Sequence, residues 1–289
     1  MLPIQPLSRR DFLRFATLAP AAGLLPNVLH AEEKDPYGGF LVGIQTYTYR
    51  NFKIEQAVKK IADLGVKYVE LTQLHLSPDS TPDRIKAVKT LLKDNGLTAI
   101  AYGVAGFSKN DDANAKMFDF AAALGVKHLS ADPSPDAFDS LDKLVEKHKI
   151  SIAIHPHGPS GKAMHRWYSA EIILKAVKDR NPLIGTCLDT GHLIRSAQNG
   201  FDLDPAQQIR VMGARNFGLH LKDHDNKRKT DVVYGRDGGV LDVAGILKAL
   251  REVKFAGYIS IEYEANPAEP TADVKACLEV FRETVKKLS

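Results

Sequence analysis

The side chains best suited to chemistry in this chain stand at the ends of short apolar runs. Ile184 to Leu188 leads into Asp189, with Thr190, Gly191 and His192 after it. Ile150–Ile154 leads into His155 and His157, Asn216–Leu219 into His220, and Tyr258–Ile261 into Glu262 and Glu264. Imidazole and carboxylate together suit a divalent transition ion. Asp189, His220 and Glu262 are therefore the leading metal-ligand candidates, with His155 the fourth. A lone His or Asp at a strand end is commonly a hydrogen-bonded loop residue, but four in matching positions point to one polar site. Ligands from four strands meet naturally at the carboxyl end of a parallel barrel.

The elements that must position these residues are legible in the same pattern. Short, β-branched-rich runs near 41–46, 66–71, 97–103, 126–131, 150–155, 184–189, 216–221 and 257–262 read as buried parallel strands. Between them, apolar residues at three- and four-residue steps predict helices over 54–64, 82–95, 113–124 and 138–148, then near 168–179, 204–212, 242–252 and 270–288. Gly65, Gly96 and Gly125 stand where helices want a left-handed last residue. Leu64-Gly65-Val66-Lys67-Tyr68-Val69 is echoed as Leu124-Gly125-Val126-Lys127-His128-Leu129. Strands alternating with helices and no second domain predict an α/β fold, a single closed (β/α)8 barrel over residues 40–289. An open doubly wound sheet is disfavoured, because no Gly-rich phosphate fingerprint follows the first strand. Strand parity agrees with the barrel. With His155 facing inward, Ser151 and Ala153 share its side while Ile150, Ile152 and Ile154 face the helices. Likewise Asp189 goes with Cys187 and Gly185, His220 with Gly218 and Asn216, and Glu262 with Ser260 and Tyr258.

Composition narrows the function. The 289 residues are 44% hydrophobic and 26% charged, with a net charge of +4, as in a soluble globular chain. No basic stripe with interleaved aromatics is present, so nucleic acid is not an expected partner. Ser8-Arg9-Arg10-Asp11-Phe12-Leu13 and the moderately apolar run to Leu25 look like a twin-arginine export signal over 1–31, with Leu29-His30-Ala31 as an imperfect cleavage site. That run is too short for a stable spanning helix. A polar linker over 32–39 follows, and the mature protein is expected to be periplasmic or extracytoplasmic, exported folded. The two cysteines, Cys187 in a strand and Cys277 in the last helix, are expected to be free and buried rather than bridged. Nothing in the sequence fixes or excludes a homo-oligomer.

The segments Leu188-Asp189-Thr190-Gly191-His192, His220-Leu221-Lys222-Asp223 and Ile261-Glu262-Tyr263-Glu264 resemble the xylose isomerase-like TIM-barrel superfamily of sugar isomerases and epimerases. Phe40–Tyr47 and Tyr68-Val69-Glu70-Leu71 extend the likeness over nearly all of the chain after the leader. That superfamily also holds inosose dehydratase and zinc-dependent apurinic endonucleases. The resemblance implies one divalent metal ion on Asp189, His220 and Glu262, with Glu262 also a catalytic carboxylate. His155 stands where the sugar epimerases usually carry a glutamate that is both ligand and acid/base. Two imidazoles with two carboxylates favour Zn, Co, Mn, Fe or Ni over Mg. The proton-transfer base then becomes His157, Glu264 or a metal-activated water.

Supporting roles follow. Lys222 lies two residues past His220 on the same side and can neutralise an enediolate oxygen, or pair with Asp223 or Glu264. Glu70 at the end of the second strand is a candidate for sugar hydroxyls or for a structural ion pair. His192 is a candidate substrate contact or support residue. Trp167, with His165, could wall a sugar ring or simply start a helix packed on the barrel. Asp223 to Asp242, which contains Arg236, Gly238 and Gly239, is expected to fold over the site as a loop, with Arg236 a candidate substrate contact. The expected activity is that of a metal-dependent sugar or keto-sugar isomerase or epimerase working by proton abstraction next to a carbonyl. Two alternatives are a lyase that eliminates the aglycone from a 3-keto-glycoside and a non-catalytic sugar-binding barrel. A phosphodiesterase of the endonuclease type would need more metal ligands and a basic groove.

Overall fold

The computed structural model describes residues 35–289, so the expected export signal, its expected cleavage site and the start of the expected linker lie outside the described residues. Eight parallel strands close into a barrel. They are β1 (Leu41–Gln45), β2 (Tyr68–Leu71), β3 (Thr98–Phe107), β4 (His128–Pro133), β5 (Ser151–Ile154), β6 (Ile184–Asp189), β7 (Asn216–Leu221) and β10 (Tyr258–Ile261). Their order around the barrel is β1-β10-β7-β6-β5-β4-β3-β2. Between β7 and β10 the chain adds an antiparallel hairpin, β8 (Asp223–Asp225) and β9 (Thr230–Val232).

The strands form because each presents large aliphatics outward to a ring of helices. Ile152 and Ile154, Leu188, Leu219 and Leu221, and Ile259 and Ile261 all join that outer core. The inner set is separate: Ala101, Ala153, Cys187 and Tyr258 pack against one another inside the barrel. The inward and outward assignments expected from parity hold except at the start of β7. A register shift there turns Phe217 toward the inner set and lets Asn216, expected inward, donate to Ile209 O and Gly213 O of the preceding helix and turn. Gly218 makes room for the Tyr258 ring, since a Cβ there would lie 2.6 Å from its Cζ. Both cysteines are buried and unbridged.

The helices carry their own start and stop signals. Thr81, Asn110 and Ser169 each accept a hydrogen bond from a first-turn amide, as N-caps do. Gly65, Gly96 and Gly125 take positive φ at helix ends.

The short helix Thr190–Arg195 was not expected from the sequence, and two further elements differ from that expectation. β3 runs on past Gly103 to Phe107, because Ala105–Phe107 find partners in Ala131–Pro133 after a register shift. The stretch after Asp223 is not an irregular loop throughout. Asp223 accepts from the amides of His224, Gly235, Val240 and Leu241, and so ties the hairpin to the segment that follows it. No helix among the described residues is long and apolar enough to cross a membrane.

Candidate metal centre and substrate cleft

Asp189 closes β6 and at once caps the next helix, Thr190–Arg195, where its Oδ1 accepts from His192 N at 2.7 Å. That bond turns the other oxygen, Oδ2, inward, where it is buried with no hydrogen-bond partner. His155 Nε2 lies 3.3 Å from it, Lys222 Nζ 3.1 Å and His220 Nδ1 3.8 Å. Glu262 Oε2 is 3.4 Å from His220 Nδ1. His155, Asp189, His220 and Glu262 thus each offer a donor atom, and all four atoms lie within 4.8 Å of one another. The structure brings together all four expected ligands.

What aims His220 was only partly visible in the sequence. Its Nε2 stands 2.8 Å from Glu70 Oε2, and a carboxylate can only accept, so Nε2 carries the proton and Nδ1 faces the cluster. Glu70 is buried and also accepts from the hydroxyls of Ser130 and Ser260. Burial alone would raise its pKa, but His220 and the two hydroxyls hold it below the ordinary value. Glu70 therefore lies beneath His220 as its orienting partner and is not at the cleft wall to meet sugar hydroxyls.

Lys222 sits in the middle of the charges. Its Nζ is 2.7 Å from Glu262 Oε2 and 2.6 Å from Glu264 Oε1, and the side chain is buried. Burial works against the ammonium, but Asp189, Glu262 and Glu264 outweigh it and raise the pKa well above the usual lysine value. Asp189 and Glu262 respond in the opposite sense. Burial would raise both, yet Lys222 above all holds each below the usual carboxylate range. Burial also disfavours a charged His220, while Cys187, Glu70 and Glu262 lift its pKa well above that of free imidazole.

Above this centre opens a cleft of about 490 Å³, lined by Gln45, Tyr47, Thr72, His155, His157, His192, Glu262 and Glu264 among others. The rings of His157 and His155 are 4.7 Å apart, and those of His157 and His192 5.2 Å. Burial, then the neighbouring His155 and His165, push the His157 pKa down to about 3. Burial likewise lowers that of His192. Both rings are therefore neutral at physiological pH. His165 backs His157 at 4.7 Å and faces Asp132.

Two expected substrate contacts are placed elsewhere. Trp167 is buried, packs edge-on against Phe138 and donates Nε1 to Pro133 O at 2.8 Å, so it is a helix-packing residue and not a cleft wall. Arg236 is exposed on the segment after the hairpin and does not line the cleft. Gln45 and Thr72, which do line it, were not singled out from the sequence; their signal is only that each ends or follows a barrel strand.

Residues 58–284 match the xylose isomerase-like TIM barrel family. No curated protein matches the chain. Among solved structures, an uncharacterised protein from Parabacteroides distasonis ATCC 8503 is 29% identical, with a TM-score of 0.65 over 86% of this chain and 99% of its own. D-Psicose 3-epimerase from Clostridium cellulolyticum H10, solved with D-tagatose, is 17% identical, with a TM-score of 0.65 over 85% and 99% of the two chains. The apo 3-keto-D-glucoside 4-epimerase from E. coli is 16% identical, with a TM-score of 0.64 over 84% and 99%. These last two share the fold.

Proposed function

This chain belongs to the xylose isomerase-like TIM-barrel family, and on that premise we propose that it is a metal-dependent isomerase or epimerase that moves a proton next to the carbonyl of a sugar or keto-sugar. The observation that carries this reading is the convergence of His155, Asp189, His220 and Glu262, with Asp189 Oδ2 buried at the meeting point, without a hydrogen bond and facing His155, His220 and the Lys222 ammonium. A divalent transition ion held by those four residues would polarise a carbonyl oxygen and its neighbouring hydroxyl.

The remaining work falls to the chain itself. Lys222 keeps a permanent ammonium where negative charge on a substrate oxygen would develop. On one side of the cleft His157 is held neutral. Because its lowered pKa makes it a weak base, its taking a proton from the substrate carbon would depend on strong polarisation of the neighbouring carbonyl. Glu264 supplies a second acid/base group from the end of β10, which lies three places from β5 around the barrel. Acid/base groups that approach from different strands are what a two-sided proton transfer requires. His192 and Gln45 line the same cleft and would hold hydroxyls.

One observation favours a second reading, elimination from a 3-keto-glycoside. β5 ends in His155 and His157 and brings no carboxylate to the site, and elimination needs only one base. Metal analysis together with turnover in D2O tests both. The expected result is a single transition ion per chain, lost in Asp189→Ala and His220→Ala, with solvent deuterium entering next to the carbonyl of a keto-sugar. Release of an aglycone without a rearranged sugar would select the lyase. No ion and no exchange across a panel of keto-sugars and glycosides would leave a sugar-binding barrel. We also propose export by the signal at Ser8–Leu13, to be checked by cell fractionation with and without the Arg9–Arg10 pair.

A further inference from the structure

We propose that a smaller pocket beside the cleft is a second sugar subsite that binds an uncharged residue through its hydroxyls, so that the substrate is a disaccharide or longer glycoside and not a free monosaccharide; this rests on the sugar-enzyme reading above. The pocket, of about 290 Å³, shares Glu264 with the cleft, so the two meet at that residue. Arg195, Gln198, His224, Lys229 and Asp231 also line it. Its two cations stand against two carboxylates, Asp231 and Glu264, so the pocket has no net charge with which to select an ionic group.

The hydrogen-bonding groups left over are of both kinds. His224 and Asp231 are cross-strand partners on the hairpin, with His224 Nδ1 2.9 Å from Asp231 Oδ1. A carboxylate only accepts, so Nδ1 carries the proton and Nε2 presents a lone pair. That nitrogen has no partner in the protein, although the side chain is only 7% exposed. A buried acceptor without a donor is costly, and a ligand hydroxyl is the donor it lacks. Gln198 adds a second acceptor, because its amide nitrogen is engaged with Asn226 Oδ1 at 2.9 Å and leaves its oxygen for a ligand. Arg195 and Lys229 supply donors. A sugar hydroxyl both donates and accepts, so a ring that carries several of them can meet this mixed set. An anion would find no donor at His224 Nε2, and an ammonium would meet Arg195 and Lys229. Asp231 also couples the pocket to the cleft. Its second oxygen accepts from Glu264 N at 2.9 Å, so the carboxylate that sets the His224 tautomer also fixes the residue shared by the two sites.

Calorimetric titration of the full chain with the methyl glycosides of D-glucose and D-galactose, and with the disaccharides of the same two sugars in every linkage, decides this. The best disaccharide should bind about tenfold or more tightly than its methyl glycoside. His224→Phe, which removes the acceptor and keeps a ring in the hairpin, should erase that ratio. Where the buried change impairs folding, Gln198→Ala/Lys229→Ala, at two exposed side chains, should lower the ratio instead. The ratio should persist in Asp189→Ala, which removes the metal centre, so loss of the metal reading leaves the subsite standing. Equal binding of methyl glycosides and all disaccharides, or a ratio unchanged in the folded variants, overturns the subsite alone. Failure of every sugar to bind overturns the sugar reading and the subsite with it.

Discussion

Replacing Lys222 with methionine tests the charge balance on which the site depends. The ammonium touches Glu262 Oε2 at 2.7 Å, Glu264 Oε1 at 2.6 Å and Asp189 Oδ2 at 3.1 Å. Methionine keeps most of the aliphatic stem and removes the charge. Taking one partner from a buried ion pair costs roughly 3–5 kcal/mol. The side chain of Glu264 is 37% exposed, so solvent screens its share and the loss falls mainly on Glu262 and Asp189. In a domain of this size each kcal/mol moves Tm by roughly 2–4 °C, so the metal-free variant should melt roughly 6–20 °C lower. The pH dependence has a definite sign. Depressed carboxylate pKa values contribute stability above the unfolded pKa and lose it as pH falls through the folded one. The variant lacks most of that contribution, so its deficit is greatest near neutrality and shrinks in acid. A divalent ion meets the same oxygens and should rescue the variant, raising its Tm more than it raises that of the wild type. Thermal denaturation followed by circular dichroism, in chelator and in excess Co2+, at about pH 3 and about pH 7, reads all three effects. Equal melting of the two metal-free proteins, or equal metal-induced shifts, would refute the account of Lys222 as the compensating cation.

Glu70→Gln should weaken metal binding about 10–100-fold, since His220 loses the carboxylate that fixes its tautomer, and competition with a chromophoric chelator would register the change. Metal affinity of the wild type should climb with pH through neutrality and beyond, because the ion must displace a proton from a His220 whose pKa is raised. A flat titration over that range would contradict the geometry at His220. Trp167→Phe should cost about 1–3 kcal/mol, as the Pro133 carbonyl loses its donor. It should leave KM for any accepted sugar unchanged, which chemical denaturation and steady-state kinetics together would establish.

The barrel was legible because its signals are local. β6 and β7 coincide with the apolar runs 184–189 and 216–221, and the helix Phe138–His148 coincides with its periodic segment. Parity placed Asp189, His220 and Glu262 on the inner face, and a parallel barrel sends such strand ends to one mouth. The hairpin escaped notice because its strands are three residues each, too short for alternation to show. Side-chain partners were harder to foresee. Glu70 and His220 are 150 residues apart, and parity tells which way Glu70 points without naming what it meets. Trp167 was ambiguous for a related reason: an aromatic at a helix start serves a cleft or a core equally well, and only the position of Pro133 O decides.

The least readable feature was the consequence of having His155 where a glutamate is usual among sugar epimerases. A carboxylate there would bring one more anion against Asp189 Oδ2, which already lies 3.3 Å from His155 Nε2. With imidazole in its place, Asp189, Glu262 and Glu264 against the single ammonium of Lys222 leave two negative charges, the number a divalent ion neutralises. The His155 ring also packs edge-on against His157 and His192, and burial together with mutual repulsion lowers the pKa of those two rings. One change of ligand type thus affects both halves of the chemistry. Under the proposed function it would favour a softer ion at the centre, and it leaves the β5 side of the cleft with imidazoles in place of a carboxylate.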